Sequence, residues 1–161
     1  MTKVVALALA AWFVLLATAD AKLVFQRAGS KAIVVARNDG SHRHVIAHGF
    51  APVVSPDGKW VSFFRWHRFG DSLHVVDTAG GKSRKLSGGA LAMEPMPAVW
   101  SPDSQLLLAS NGRDSALLFN IERRTKHGYG LRDDQLAGGA FSPDATRLVL
   151  AYGGSSREDA T

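Results

Sequence analysis

The chain contains 161 residues, of which 46% are hydrophobic and 20% are charged, and its formal net charge is +5. This hydrophobic content excludes a generally disordered chain, and the absence of cysteine excludes disulfides, thiolate metal sites and a cysteine nucleophile. The basic residues do not form a run, so the sequence does not predict binding to nucleic acid.

Residues 1–21 have the pattern of a secretory signal peptide. Lys3 precedes an uninterrupted apolar run over residues 4–17, and the small residues Ala19 and Ala21 stand where a signal peptidase reads, which predicts cleavage before Lys22. The run is shorter than the roughly 20 apolar residues that a membrane-spanning helix needs. We therefore expect a periplasmic or secreted protein with no stable transmembrane segment after cleavage; an uncleaved N-terminal anchor is the alternative.

The remaining chain repeats a hairpin built around the triplet Ser-Pro-Asp. The triplets begin at Ser55, Ser101 and Ser142, which are 46 and then 41 residues apart. A period of about 40 to 45 residues is typical of propeller blades. Proline presets the turn and aspartate bonds nearby backbone. The residues assigned a structural role in these turns are Ser55, Pro56, Asp57, Gly58, Ser101, Pro102, Asp103, Ser142, Pro143 and Asp144.

The recurring aspartates could be mistaken for a ring of catalytic carboxylates, but their position after proline favours local hydrogen bonding in a turn. The fourth turn position differs between copies. Gly58 tolerates a positive φ, whereas Ser104 and Ala145 replace it in the other two copies. We expect those two turns to differ slightly or to carry strain.

Nearly continuous apolar strands follow the turns, as at residues 106–108 and 148–150, which predicts strands covered on both faces. A second hairpin then ends in a basic outer strand, whose charges oppose edge-to-edge aggregation. Counting these strands predicts thirteen, in groups of three, four, four and two. The predicted fold is all-β: a partial β-propeller of about three four-stranded antiparallel blades plus a half blade.

The predicted partial propeller spans residues 22–152 and is followed by a flexible polar tail at residues 153–161. Its blades are expected at about 23–47, 49–87, 97–131 and 138–152. A closed propeller needs about four to eight blades. Self-association through open blade edges is therefore a further expectation.

Two runs within the second blade resemble a known family. Ser-Pro-Asp-Gly-Lys at residues 55–59 and Val-Val-Asp-Thr-Ala-Gly-Gly-Lys-Ser-Arg-Lys-Leu at residues 75–86 are similar to the TolB-type, WD-like β-propeller repeat. The similarity covers roughly residues 23–152. It implies a periplasmic or secreted scaffold for protein–protein interaction, like the TolB component of the Tol envelope system.

The same resemblance leaves other functions open, since such blades also precede the hydrolase domain of prolyl-oligopeptidase-like enzymes. One alternative is the N-terminal propeller of a peptidase or lyase whose catalytic domain is absent here, and another is a small-ligand binder that uses the propeller channel. The sequence holds no Gly-x-Ser-x-Gly elbow, His-Glu-x-x-His motif or dinucleotide fingerprint. Residues 79–83 resemble the end of a phosphate-binding loop, but Val76 stands where that loop needs glycine. We therefore predict no catalytic residue, no enzyme activity and no cofactor.

Three histidines, His42, His44 and His48, are the candidate metal ligands. Two of them would share one face of a strand, but a third ligand would have to come from elsewhere. Arg37 and Arg43 would also repel a dication. The sequence therefore favours a solvated outer strand over a metal site.

Residues 63–69, Phe-Phe-Arg-Trp-His-Arg-Phe, combine aromatic residues with arginine, as protein interfaces do. We predict a partner-binding loop at one mouth of the propeller, formed by Phe64, Arg65, Trp66, Arg68 and Phe69. In the alternative, Phe63 and Trp66 pack between blades while Arg65 and Arg68 are solvated.

Overall fold

The computed structural model describes residues 22–68, 70–87, 98–110, 115–130 and 135–153. The predicted signal peptide, with Ala19 and Ala21, lies outside the described residues, as do Phe69 and most of the predicted tail. Among the described residues there is no helix long and apolar enough to cross a membrane.

Thirteen strands occur within the described ranges and form four antiparallel sheets of three, four, four and two strands. In chain order the strands are β1 (Lys22–Gln26), β2 (Ala32–Arg37), β3 (His44–His48), β4 (Phe50–Val54), β5 (Trp60–Arg65), β6 (Ser72–Asp77), β7 (Arg84–Lys85), β8 (Val99–Trp100), β9 (Leu106–Ser110), β10 (Ser115–Asn120), β11 (Thr125–Gly130), β12 (Gln135–Phe141) and β13 (Leu148–Gly153). Each sheet pairs strands that are consecutive in the chain. The predicted all-β, partial-propeller fold is confirmed.

The core consists of apolar layers between consecutive sheets. One cluster joins the first and second sheets, another joins the second and third, and a smaller one joins the third sheet to the β12–β13 hairpin. Neighbouring residues of β5 belong to different layers. Phe63 lies in the cluster between the first and second sheets, and Phe64 lies in the cluster between the second and third sheets. Strand alternation therefore buries both faces of this strand. Burying one such side chain contributes about 1.5–3 kcal/mol.

The three Ser-Pro-Asp turns are closed by the same hydrogen bonds. In the first turn, the backbone N–H of Trp60 donates to Ser55 Oγ over 2.9 Å, and that hydroxyl donates to Asp57 Oδ1 over 2.6 Å. Ser101 and Ser142 make the equivalent pairs of bonds in the other turns. The aspartates therefore have a local partner in every copy, as turn residues do.

The fourth turn residue adopts a positive φ in every copy. The angle is 71° at Gly58, 62° at Ser104 and 57° at Ala145. The turns thus keep one backbone conformation, and the strain that we expected is carried by the two residues that have a Cβ.

Candidate functional site

The segment that follows β5 divides into buried and exposed residues. Phe63 and Phe64 are both fully buried, in the two clusters on either side of the second sheet. This corrects the prediction for Phe64, which is a core residue and takes no part in a surface. The reason is strand alternation, which continues to the end of β5.

Trp66 begins the loop and is 56% exposed. Its ring centroid lies 5.1 Å from that of Phe50, and the Phe50 ring lies 5.7 Å from that of Phe64. An aromatic stack therefore runs from the core to the surface and ends in an exposed indole. Such a side chain offers a large apolar area with little loss of conformational entropy on binding.

Arg65 is half-buried and held in place by both neighbouring segments. Its Nε donates to the carbonyl of His48 over 3.1 Å, and Nη2 donates to Ser83 Oγ over 3.0 Å. The guanidinium carbon lies 5.2 Å from the centroid of the Phe63 ring, a cation–π distance. Arg65 is therefore a cation held in place beside the exposed indole. The alternative interpretation required a freely solvated Arg65, which these contacts contradict.

A shallow cavity of about 200 Å³ lies at this junction of the first and second sheets. Lys31, His48, Gly49, Arg65 and Trp66 line it. A Cβ at Gly49 would collide with the backbone oxygen of Phe64 and the ring of Phe63. Glycine is therefore needed where the chain passes from the first sheet to the second, at the wall of the cavity.

The remaining predicted residues of this loop have different positions. Arg68 lies exposed in the turn before Gly70, and Phe69 lies outside the described residues. The surface that can be described is thus Trp66 with Arg65, Phe50 and Lys31. We call this the Trp66 surface.

The three candidate metal ligands are spread along the first sheet's outer hairpin. His42 precedes β3 and has a φ of 52°, so strand alternation does not relate it to His44, the first residue of that strand. His42 Nδ1 lies 2.9 Å from Ser41 Oγ, and His44 Nε2 lies 3.3 Å from the carbonyl oxygen of Thr78. Within the described ranges no three histidines or carboxylates are grouped as metal ligands would be.

A buried polar cluster at the start of β6 was missed by the sequence analysis. Ser72 Oγ lies 2.9 Å from His74 Nε2, and the imidazole stacks on Phe63 with 5.5 Å between ring centroids. Burial, aided by nearby Arg65, lowers the pKa of His74 to about 4. Ser72 is completely buried, so a substrate cannot reach this serine–histidine pair.

Asp71 adds an unusual feature to the same cluster. The residue is 2% exposed, and burial raises the pKa of its carboxyl group. Among the described residues, its Oδ2 and Nδ1 of His74 have no hydrogen-bond partner. The only signal in the sequence was the place of His74 between Leu73 and Val75 on an apolar strand, which predicts burial but not its polar neighbours.

Comparison with known proteins supports the architecture described above. No model of a protein family matches the chain, and no curated protein matches it. Several solved structures share its fold, including two TolB structures and the propeller domain of a protease. TolB from Acinetobacter baumannii has a TM-score of 0.63 and 18% identity, with 84% of this chain and 36% of that chain covered. A putative TolB from Agrobacterium tumefaciens has a TM-score of 0.62 and 14% identity, covering 86% and 52%.

The third is the β-propeller domain of the Trilobed protease from Pyrococcus furiosus, with a TM-score of 0.56 and 22% identity, covering 76% of this chain and 41% of that one. The chain thus spans about half or less of each of these structures. At such identities the similarity concerns the fold. The described residues have the β-propeller fold of TolB and related repeat proteins, with blades left open at both ends.

Proposed function

We propose that the chain is part of an exported, non-enzymatic β-propeller that serves as a scaffold for protein–protein interaction. The observation that carries this proposal is the Trp66 surface. Exposed tryptophan beside a fixed arginine is the composition that dominates binding energy at protein interfaces. The likeness to two TolB structures supports the same function.

The geometry of the Trp66 surface suits binding by a preformed site. Arg65 is already held by two hydrogen bonds, and the indole rests on Phe50. Binding to such a surface costs less ordering of side chains than binding to flexible residues. A partner that covers the indole would gain apolar burial and could accept hydrogen bonds from the cation beside it.

Site-specific photo-crosslinking tests this proposal. A photoreactive phenylalanine analogue replaces Trp66 in one variant and Tyr129, which is 39% exposed on β11, in the control. We expect discrete protein adducts in the envelope fraction from position 66 and not from position 129. Equal adducts from both positions, or none from position 66, would contradict the proposal.

Export has its own test. The sequence predicts cleavage before Lys22, so the N-terminal sequence of the purified mature protein should begin at that lysine, in the periplasmic or secreted fraction. A protein that keeps residues 1–21 and stays in the cytoplasm would overturn this part of the proposal.

A second candidate function is the propeller of a protease. The observation that favours it is the likeness to the propeller domain of the Trilobed protease. In that case the coding sequence would continue beyond Thr161 into a domain with a serine nucleophile motif, whereas a scaffold would continue only with further blades. Sequencing the surrounding reading frame distinguishes the two.

A further inference from the structure

The outer strands of the first and second sheets contact the next sheet in the same way. His44 is the first residue of β3, and Arg84 is the first residue of β7. His44 Nε2 lies 3.3 Å from the carbonyl oxygen of Thr78, and Arg84 Nη2 donates to the carbonyl of Ile121 over 2.8 Å. Thr78 directly follows β6 and Ile121 directly follows β10, so both acceptors occupy one position of the repeat.

A groove lies at each of these equivalent contacts. The first groove has a volume of about 490 Å³, and its polar lining includes Lys22, Arg37, His42, Arg43 and His44. The second groove has a volume of about 200 Å³, and its lining includes Arg84, Lys85, Asn120, Arg124 and Lys126. The repeat therefore builds two basic grooves, one blade apart.

Positive charge in the grooves exceeds the negative charge close to them. The exposed acids on the adjoining hairpin turns are Asp39, Asp77 and Glu122. Asp39 accepts hydrogen bonds from Ser41, which lower its pKa, and Arg37 and His42 lower it further. The ion pair found among the described residues, between Lys59 and Asp57, involves neither groove.

In the second groove, the positively charged side chains of Arg84 and Arg124 lie close together. Burial lowers the pKa of Arg84, and the nearby Arg124 lowers it further. Arg124 itself is exposed at a φ of 56°. An anion bound here would relieve repulsion between these two guanidinium groups.

Three of the cations are held in place by hydrogen bonds. Arg43 Nε donates to the carbonyl of Gly40 over 2.7 Å, and Lys22 Nζ donates to Thr78 Oγ1 over 2.8 Å. Arg84 is fixed by its bond to Ile121. A guanidinium has five N–H donors, so an arginine tethered through one of them keeps others for a carboxylate, which it binds in a fork geometry.

We propose that the two grooves form one binding surface for an acidic segment of a partner protein, rich in aspartate and glutamate. The surface is separate from the Trp66 surface, because the β5–β6 and β6–β7 connections lie at opposite ends of β6. Single-stranded nucleic acid is disfavoured, since its bases need exposed aromatic platforms. The exposed Phe, Trp and Tyr residues among the described residues are Phe25, Trp66, Tyr129 and Tyr152, and they line neither groove.

Fluorescence anisotropy with a labelled peptide of alternating glutamate and glycine tests the proposal. One variant carries Arg37→Glu with Arg43→Glu in the first groove, and the other carries Arg124→Glu with Lys126→Glu in the second. The control carries Arg27→Glu, in the turn between β1 and β2, with Arg147→Glu, which is an identical change of charge outside both grooves. We expect each groove variant to bind the peptide roughly tenfold or more weakly than the control does.

Several results would overturn the proposal. These are equal weakening by the control, weakening by only one groove variant, and equal binding of a glutamine–glycine peptide. Displacement of the peptide by phosphatidylglycerol vesicles or by a single-stranded oligonucleotide, but not by unlabelled acidic peptide, would assign the grooves to another class of partner. If a charge reversal lowers the melting temperature, Arg37→Gln with Lys126→Gln replaces it, and unchanged peptide affinity in that variant would also refute the inference.

Discussion

At the scale of single residues, the fourth residue of each Ser-Pro-Asp turn determines how much backbone strain the turn carries. All three turns require a positive φ at the fourth position, but Gly58 is the one glycine among the three residues there. A residue with a Cβ in this region costs roughly 1 kcal/mol or more relative to glycine. The hydrogen bonds of the serine and aspartate must therefore offset a strain that the first copy does not have.

The exposed turn at Ala145 provides a direct test. We expect Ala145→Gly to raise the free energy of unfolding by about 0.5–1 kcal/mol, because relief of strain exceeds the greater chain entropy of glycine in the unfolded state. Urea unfolding measures this difference. Ser104→Gly is the matched control and should gain less, since Ser104 Oγ accepts a hydrogen bond from the Asp57 N–H over 2.9 Å. A loss of stability in Ala145→Gly would contradict this explanation.

His74 makes stability depend on pH. Its pKa falls from 6.5 to about 4 in the folded state, so between these values the unfolded chain binds more protons than the folded chain. The free energy of unfolding should therefore decrease as pH falls from 6.5 to 4, by up to roughly 3 kcal/mol. Denaturant titrations at a series of pH values measure this slope.

The variant His74→Phe isolates the effect, because it keeps a ring against Phe63 but cannot be protonated. Its stability should vary less with pH over this window than that of the wild type. Burial raises the pKa of Asp71, which acts in the opposite direction, so the difference between the two proteins is the informative quantity. Asp57 and Asp144 have lowered pKa values, and their contribution is lost only as pH falls below about 3.8. Equal slopes in both proteins would refute the assignment to His74.

At the scale of elements, the inner strands of neighbouring sheets are joined by a side-chain hydrogen bond as well as by apolar packing. Trp100 of β8 lies in the cluster between the second and third sheets, and its Nε1 donates to the carbonyl of Val53 on β4 over 3.1 Å. The indole thus satisfies a backbone acceptor at the edge of the adjacent sheet.

Replacing Trp100 with phenylalanine should separate these contributions. We expect Trp100→Phe to lower the free energy of unfolding by about 1–3 kcal/mol, because the variant leaves the Val53 carbonyl without this donor and removes buried volume. The surface variant Trp66→Phe should change it by less than about 0.5 kcal/mol. Equal effects in chemical denaturation would show that the inter-sheet bond contributes nothing.

At the scale of the whole molecule, the described residues leave open edges at both ends of the blade series. β1 pairs only with β2, and β13 pairs only with β12, among the described strands. Exposed apolar side chains lie on these strands, including Phe25 at 38%, Val149 at 68% and Tyr152 at 60%. Unpaired backbone and apolar surface together favour association.

Residues 22–161, produced on their own, should therefore self-associate. Size-exclusion chromatography with light scattering should give a mass that rises with concentration and exceeds the 17.2 kDa of the 161-residue chain. Val149→Lys with Tyr152→Lys should lower that mass, because charge on an edge strand opposes pairing. A stable monomer at every concentration would be evidence against association through these edges.

Most of the fold could be predicted from the period of the sequence repeat. The Ser-Pro-Asp spacing and the apolar strands predicted the number of strands in each sheet, because turn chemistry and two-sided burial are local properties of the chain. The same local logic assigned the aspartates to turns, where each accepts a hydrogen bond from its own serine.

The candidate site was predicted less completely. The sequence indicated an aromatic, arginine-containing loop after β5, but it did not separate buried Phe64 from exposed Trp66. Which side chains are buried depends on where the alternation of strand β5 ends. β5 ends where its pairing with β6 ends, at the pair formed by Arg65 and Ser72.

The amino-acid sequence by itself determined the all-β class, the blade period and the turn chemistry, since each depends on residues close together in the chain. Only the tertiary structure decided which side chains meet across blades. The tether of Arg65 to His48 and Ser83, the buried pair of Ser72 and His74 beneath Phe63, and the equivalent grooves at His44 and Arg84 all join segments whose relative placement depends on how the sheets pack. Packing between sheets is a non-local property, so no single repeat contains the information that specifies it.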